Sequence, residues 1–460
     1  MTDRRPDLVL VMTDQQRHDQ VGYVGATPVR TPVLDRLAAD GIVFTDAYSG
    51  STTCVPSRTS LMTGLFDHRV PQVGRGEMEQ GTFTVPHALR AAGYQTALVG
   101  KMHFTPIRAD HGFEVMRVCE HLNAFAERPE AMAELDHYHD WLRSEGLADW
   151  RFEVAGLDPR RYPYATATHP TSWVRDQALD VLSARDPERP LFLVVSFPHP
   201  HPPVNPPDEY AAAYDPAGCE VDPGSDAVNA RLPAPFREAL AQADAPHRRV
   251  HAASLDRHRE DLARTYALIT QIDEAVGVVL DRIDLDRTVL FFTSDHGDYA
   301  GHRGLLRKVP WIPFDDLARV PFFATGGPVV GGRTEAAPVQ SFDLAATFLD
   351  LAGADVDLGA LDGDSLAGVL AGGEAPADRV VLSALTTGWP MARRGSQKYV
   401  RGSWGSEVLF DVERDPGETF DLKAIPGGAE AVAALSAEVD RALALAIPDL
   451  PRFAPTPDRR

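Results

Sequence analysis

Cys54 is followed at fixed offsets by Pro56, Ser57 and Arg58, and then by Leu61, Thr63 and Gly64. Proline suits the first turn of a helix, where its fixed φ fits and its missing N–H costs nothing. That places Cys54 near a helix N-terminus, where free N–H groups and the helix dipole favour an anion. Arg58 would add a fixed positive fork for an oxyanion. A buried structural cysteine is the competing reading and the commoner fate of an unpaired thiol. Spacing alone leaves the two level.

A second set of residues shares one kind of position. Asp14, Lys101, His103, His199, His201, Asp295 and His296 each lie just beyond an apolar, strand-like run. Ligands of open α/β sheets bind outside the carboxyl ends of the strands, so these residues describe one site. Singly, each has a plainer reading: Asp14 as a turn residue, Lys101 as a solvated charge, His103 or His199 as a satisfied imidazole. Two carboxylates with an imidazole make a cation site, the oxygens suiting a hard divalent ion and the imidazole favouring manganese or another transition metal. Lys101 and His103 are two residues apart and would share a face in extended backbone.

The runs that deliver these residues are residues 8–12, 94–99, 191–197 and 288–293, short and continuously apolar as in buried parallel strands. The prolines of Pro198, Pro200, Pro202 and Pro203 are expected to end the third of them. Helices are expected from Pro32 to before Gly41, over 85–92, 173–184 and 262–280. Residues 121–150 are helical in pattern but carry no motif, and 205–257 read as a surface excursion. Strands alternating with helices argue an α/β fold with a mostly parallel central sheet flanked by helices. Past residue 373 the texture changes to short strands over 380–385, 398–401 and 408–412 and a helix over 429–446. The expected division is therefore 1–373, a catalytic domain, and 374–460, a small α+β domain.

Composition bounds the partners. A chain of 460 residues is ample for a large core, and a net charge of −21 argues against nucleic acid and anionic membranes. Three distant cysteines, Cys54, Cys119 and Cys219, give no disulfide framework. A charged start without a signal pattern, and no apolar run of membrane length, make the cytoplasm the expected location.

The Cys54–Gly64 segment resembles the signature of the type I sulfatases of the alkaline phosphatase superfamily, C-x-P-S-R followed by L-x-T-G. The resemblance implies an alkaline-phosphatase-like fold, oxidation of Cys54 to formylglycine by a formylglycine-generating enzyme, and one divalent ion, calcium or manganese. Its ligands would be Asp14, Gln15, the modified Cys54, Asp295 and His296. Gln15 in place of a second carboxylate, and His296 after Asp295, resemble the choline-sulfatase and phosphonate-monoester-hydrolase branch. Lys101 and His103 match the family's K-x-H, which implies a lysine holding the nucleophile and a histidine helping to break down the covalent intermediate. His201 before Pro202 matches the histidine assisting the leaving group, with His199 as its rival. Lys308 matches the lysine that grips the sulfate.

Asp295 is also a candidate base, and Arg58, Lys101 and Lys308 would neutralise the anion. The resemblance thus implies a small-molecule sulfate ester hydrolase. A phosphonate monoester or phosphodiester hydrolase using the same site is the alternative, and an inactive anion-binding protein with unmodified Cys54 is the reading from another class.

Overall fold

The computed structural model describes residues 5–70, 72–73, 77–79, 81–120, 136–151, 154, 157–221, 229–242, 254–402 and 404–453. Eight strands form the main sheet: β1 (Asp7–Asp14), β2 (Ile42–Phe44), β3 (Gln95–Gly100), β4 (Val115–Val118), β5 (Leu191–Pro200), β6 (Thr288–Ser294), β7 (Phe322–Thr325) and β8 (Arg333–Glu335). Their spatial order is β8-β2-β7-β6-β1-β5-β3-β4. Every neighbouring pair is parallel except the two made by β7, which runs antiparallel to β6 and β2.

The continuous apolar runs are explained by burial on both faces. Along β1, Leu8, Leu10 and Met12 enter one core while Val9 and Val11 enter the other. The first core is closed by helices α2 (Cys54–Thr63), α3 (Val85–Ala91), α8 (Asp343–Leu351) and α9 (Gly428–Leu443), through residues such as Met62, Leu89, Phe348 and Leu435. The second is closed by α1 (Pro32–Asp40), α4 (His137–Ser144), α5 (Pro170–Ala184) and α7 (Leu255–Leu280), through Leu34, Leu142, Val174 and Val276. A further helix, α6 (Ala234–Gln242), lies elsewhere. No helix among the described residues is long and apolar enough to cross a membrane.

A separate antiparallel sheet follows in the C-terminal region, with β9 (Val380–Ser383), β10 (Met391–Arg394), β11 (Gln397–Arg401) and β12 (Glu407–Asp411) in chain order. The strand β10 was not foreseen, because Met391–Arg394 carries two arginines in four residues. Arg393 is nonetheless buried, paired through Nη2 with Asp46 Oδ2 at 2.7 Å.

Two expectations need correction. The strand β5 does not stop before its prolines but runs on through Pro198 and Pro200. Its partner β3 ends opposite Ser196, so the prolines sit where that side of the strand no longer needs N–H donors. The 205–257 segment is not merely superficial: Phe236 and Leu240 of α6 are buried in a core shared with Trp389, Tyr299 and Phe314. For 121–150, α4 accounts for the described helical part, and residues 121–135 lie outside the described residues.

Candidate active site

Cys54 is the first residue of α2, with Thr53 at the N-cap in extended conformation, and it is 4 % exposed. Pro56, also in the first turn, has no N–H to leave unsatisfied. The helix therefore aims its N-terminus at the carboxyl edge of the main sheet, where β1 ends in Asp14 and β6 is followed by Asp295 and His296. Backbone contacts fix those ends together. Asp295 N donates to Thr13 O at 3.2 Å, and Gln15 N donates to Asp295 Oδ1 at 2.9 Å. At Gly297 a Cβ would stand 2.0 Å from Asp316 O, so no other residue fits after His296.

Around the Cys54 sulfur the donors converge. Lys308 Nζ donates to Sγ at 2.7 Å, His296 Nε2 lies 3.1 Å away and Asp14 Oδ1 3.9 Å away. His103 and His201 each also make a side-chain hydrogen bond with Cys54. Burial alone would push the thiol up. Lys308, Lys101 and His296, with the His103 bond, instead hold it well below its ordinary value. His296 is raised: burial opposes its charge most strongly, but Asp295 and Cys54 together outweigh it. Lys308 is raised against burial by Cys54 and Asp14.

Asp14, Cys54, Asp295 and His296 each offer one ligand atom, all within 4.8 Å of one another and all buried. Two carboxylates, a sulfur position and an imidazole in that radius fit a divalent cation. Burial would raise the Asp14 carboxyl, but Lys101, His201 and Arg58 bring it well below its usual range, so it presents a charged oxygen. Gln15, expected beside them, has a left-handed backbone (φ 62) and donates through Nε2 to Asp298. Asp298 was missed as a site residue. Its Oδ1 accepts from Arg307 N at 3.0 Å, so one carboxylate ties Gln15 to the loop carrying Lys308. Its place two residues after His296 was the available signal.

The structure changes the reading of three residues. Arg58 does not hold its fork open for a substrate anion. Its Nε donates to Asp295 Oδ2 at 2.8 Å and Nη2 to Asp14 Oδ2 at 3.2 Å, while Nη1 donates to Lys101 O and Ser196 Oγ. The guanidinium is buried and fixes both carboxylates, because two buried anions need a charge partner. Lys101 likewise makes an ion pair with Asp14 and is fully buried. Lys101 and His103 do not share an extended face. The strand β3 ends at Gly100, where φ is 99 and a Cβ would stand 1.8 Å from Ser196 O, and His103 has φ 63. That turn is held by Glu120, whose Oε1 accepts from Met102 N at 3.1 Å and His103 N at 2.7 Å.

Of the two rival histidines, His201 is the one hydrogen-bonded to Cys54, and burial lowers its pKa. His199 is 2 % exposed and stacks on His169 with ring centroids 4.9 Å apart. Burial pushes His199 down to about 4, so it stays neutral.

A family model described as Sulfatase matches residues 6–354. The chain is 29 % identical to an arylsulfatase of Clostridium perfringens, covering 91 % of this chain and 90 % of that protein. It is 30 % identical to a choline-sulfatase of Rhizobium meliloti, covering 95 % and 86 % respectively. In fold it is similar to the phosphonate monoester hydrolase SpPMH from Silicibacter pomeroyi, with a TM-score of 0.78, 23 % identity, and coverage of 95 % of this chain and 94 % of that one.

Proposed function

The chain belongs to the sulfatase family, and from that premise we propose that it hydrolyses sulfate monoesters of small alcohols or phenols at Cys54. The observation that carries the reading is the approach of Lys308 Nζ to within 2.7 Å and His296 Nε2 to within 3.1 Å of a sulfur at the first position of a helix. We take residues 1–373 as the catalytic domain and 374–460 as a small α+β C-terminal domain.

The reactive form is proposed to be formylglycine, made from Cys54 by a formylglycine-generating enzyme. The thiol sulfur marks where the oxygens of the hydrated aldehyde would stand. Such a group supplies a hydroxyl nucleophile together with a second hydroxyl that can release the sulfate. Asp14, Asp295 and His296, with position 54, would hold one divalent ion, calcium or manganese, which supplies Lewis-acid polarisation of oxygen ligands. Gln15 would contribute by placing Asp295 through its backbone N–H.

The chain's own residues then divide the work by charge and position. Lys308 lies beside the nucleophile without a carboxylate partner within hydrogen-bonding reach among the described residues, so it meets the incoming sulfuryl oxygens. Lys101 and Arg58 act one step back, holding Asp14 and Asp295 ionised and oriented. His201, lowered by burial, can deliver a proton to the leaving oxygen and be left neutral. His103, on its left-handed turn, is placed to take the proton of the second hydroxyl. Asp295 is the remaining candidate base.

Activity on singly charged phosphorus esters is a second reading, favoured by a donor set with only two carboxylates. A sulfate monoester and a phosphonate monoester each carry one negative charge, whereas a phosphate monoester carries almost two near neutral pH. Comparing kcat/KM for a matched aryl sulfate and aryl phosphonate decides the order. Sulfate is expected to be better. A phosphonate preference of about tenfold, about 1.4 kcal/mol of transition-state binding, would reverse the assignment.

A further inference from the structure

The loop that brings Lys308 to Cys54 is bent into conformations that residues with side chains resist. Between Asp298 and Lys308, Ala300 (φ 49), Arg303 (φ 56) and Arg307 (φ 67) all have left-handed backbones. Such residues persist only where surrounding contacts over-determine them. Lys308 supplies no anchor of its own, because among the described residues no carboxylate lies within hydrogen-bonding reach of its Nζ. Its place beside the sulfur is therefore set by the backbone that precedes it.

That backbone is closed on Asp298. Tyr299 N donates to Arg307 O at 2.8 Å across the neck of the loop. Asp298 Oδ1 accepts from Ala300 N at 2.6 Å and from Arg307 N at 3.0 Å, and both donors are left-handed residues. The bond to Ala300 is an Asx turn, which a local role would explain. The bond to Arg307, nine residues on, is not local and ends one residue before Lys308.

The second oxygen reaches the other side of the site. Asp298 Oδ2 accepts from Gln15 Nε2; a carboxylate only accepts, so Gln15 turns its NH₂ to Asp298 and its carbonyl away. Gln15 is itself left-handed (φ 62), and its backbone N–H donates to Asp295 Oδ1 at 2.9 Å. Gln15, Ala300 and Arg307, all strained, thus meet at one carboxylate.

We propose that Asp298 is a positioning residue whose two oxygens have separate duties. Oδ1 fixes the backbone that delivers Lys308 to the sulfuryl group. Oδ2 fixes Gln15 and, through it, the Asp295 carboxylate of the cation site. The inference rests on the sulfatase reading of the Cys54 site, which gives Lys308 its ligand.

The test is a double-mutant cycle. Asp298→Ala is made with and without Lys308→Met, and each protein is measured by kcat/KM for para-nitrophenyl sulfate and by calorimetric titration with inorganic sulfate. Asp298→Ala is expected to lower kcat/KM by about tenfold or more where Lys308 is present, and by less than about twofold where it is replaced, with sulfate affinity coupled in the same sense. A residue that merely supports the fold would act by the same factor in both backgrounds. Asp298→Asn keeps an oxygen for Ala300 N and Arg307 N but sets an NH₂ against Gln15 Nε2, and it carries the test if the alanine variant does not fold. It should retain most of the Lys308 contribution while weakening Mn²⁺ binding to metal-freed protein by about tenfold. Unchanged Mn²⁺ affinity, or loss of the whole Lys308 contribution, overturns the division between the oxygens. Sulfate turnover with equal factors in both backgrounds overturns the inference and leaves the sulfatase reading standing. No turnover, with sulfate binding still coupled between the two positions, sinks the hydrolase reading and keeps Asp298 in its role. Absence of both turnover and sulfate binding sinks both.

Discussion

Two clusters of buried charge lie a short step apart along the chain, and they are built on opposite principles. One surrounds Lys398 of β11, where the C-terminal sheet meets the main body. There Lys398 Nζ stands 2.6 Å from Asp315 Oδ1 and 2.8 Å from Glu418 Oε1, and Asp315 also accepts from Tyr48 Oη at 2.8 Å. Each charge has an opposite against it. The other cluster surrounds Cys54, where Lys308 Nζ and His296 Nε2 lie 3.2 Å apart and both face one sulfur. The carboxylates that would match Lys308 are taken by Arg58 and Lys101. Closed pairing fixes architecture. Donors and acceptors converging on one point leave work for a ligand to complete.

The comparison can be broken at either end. The largest effect is expected from Cys54→Ala, which should lower kcat by roughly a millionfold, as loss of a nucleophile does. Its thermal midpoint should stay near that of the wild type, because the side chain is small and its neighbours are held by other contacts. Lys308→Met should reduce kcat/KM by about 10²–10³ with little loss of stability, since among the described residues no carboxylate lies within hydrogen-bonding reach of its Nζ. A large fall in denaturation midpoint for Lys308→Met would mean that the two clusters are alike after all.

Lys398→Met should do the reverse. It leaves Asp315 and Glu418 buried without their shared cation, a loss of about 3–5 kcal/mol in unfolding free energy. Turnover per folded molecule should be unchanged, as measured by active-site titration alongside urea denaturation. The smallest effect concerns Glu418, which burial and the neighbouring Asp315 raise from 4.5 to about 7 despite Lys398. A carboxyl that binds its proton more tightly when folded stabilises the fold most at low pH, and that contribution is lost as pH rises from 4.5 to about 7. Glu418→Gln should therefore flatten the fall in stability across this window, read from denaturation midpoints at several pH values.

Much of the main sheet was legible in the sequence because burial on both faces writes itself as unbroken apolar runs, as at Leu8–Met12. The helix at Cys54 was legible from Pro56; its end at Gly64, a left-handed C-cap, was not foreseen. Asp14, Asp295, His296 and Lys308 converge as their positions after strands and their family motif implied. What could not be read depends on contacts between distant segments. Arg58 was expected to face a substrate because sequence does not show that Asp14 and Asp295 would surround it. His103 was expected on an extended face because nothing near it announces Glu120, 17 residues away, holding a left-handed turn. Strand β5 outran its prolines because its neighbour β3 ends first, a fact of sheet topology and not of local propensity.

The most direct test of the account is the chemical state of Cys54 in protein that turns over sulfate esters. Material co-produced with a formylglycine-generating enzyme should be analysed by peptide mass spectrometry alongside its specific activity. The account predicts an aldehyde in place of the thiol at residue 54, with activity rising in proportion to the converted fraction. Full activity in a preparation whose residue 54 is entirely cysteine would contradict it.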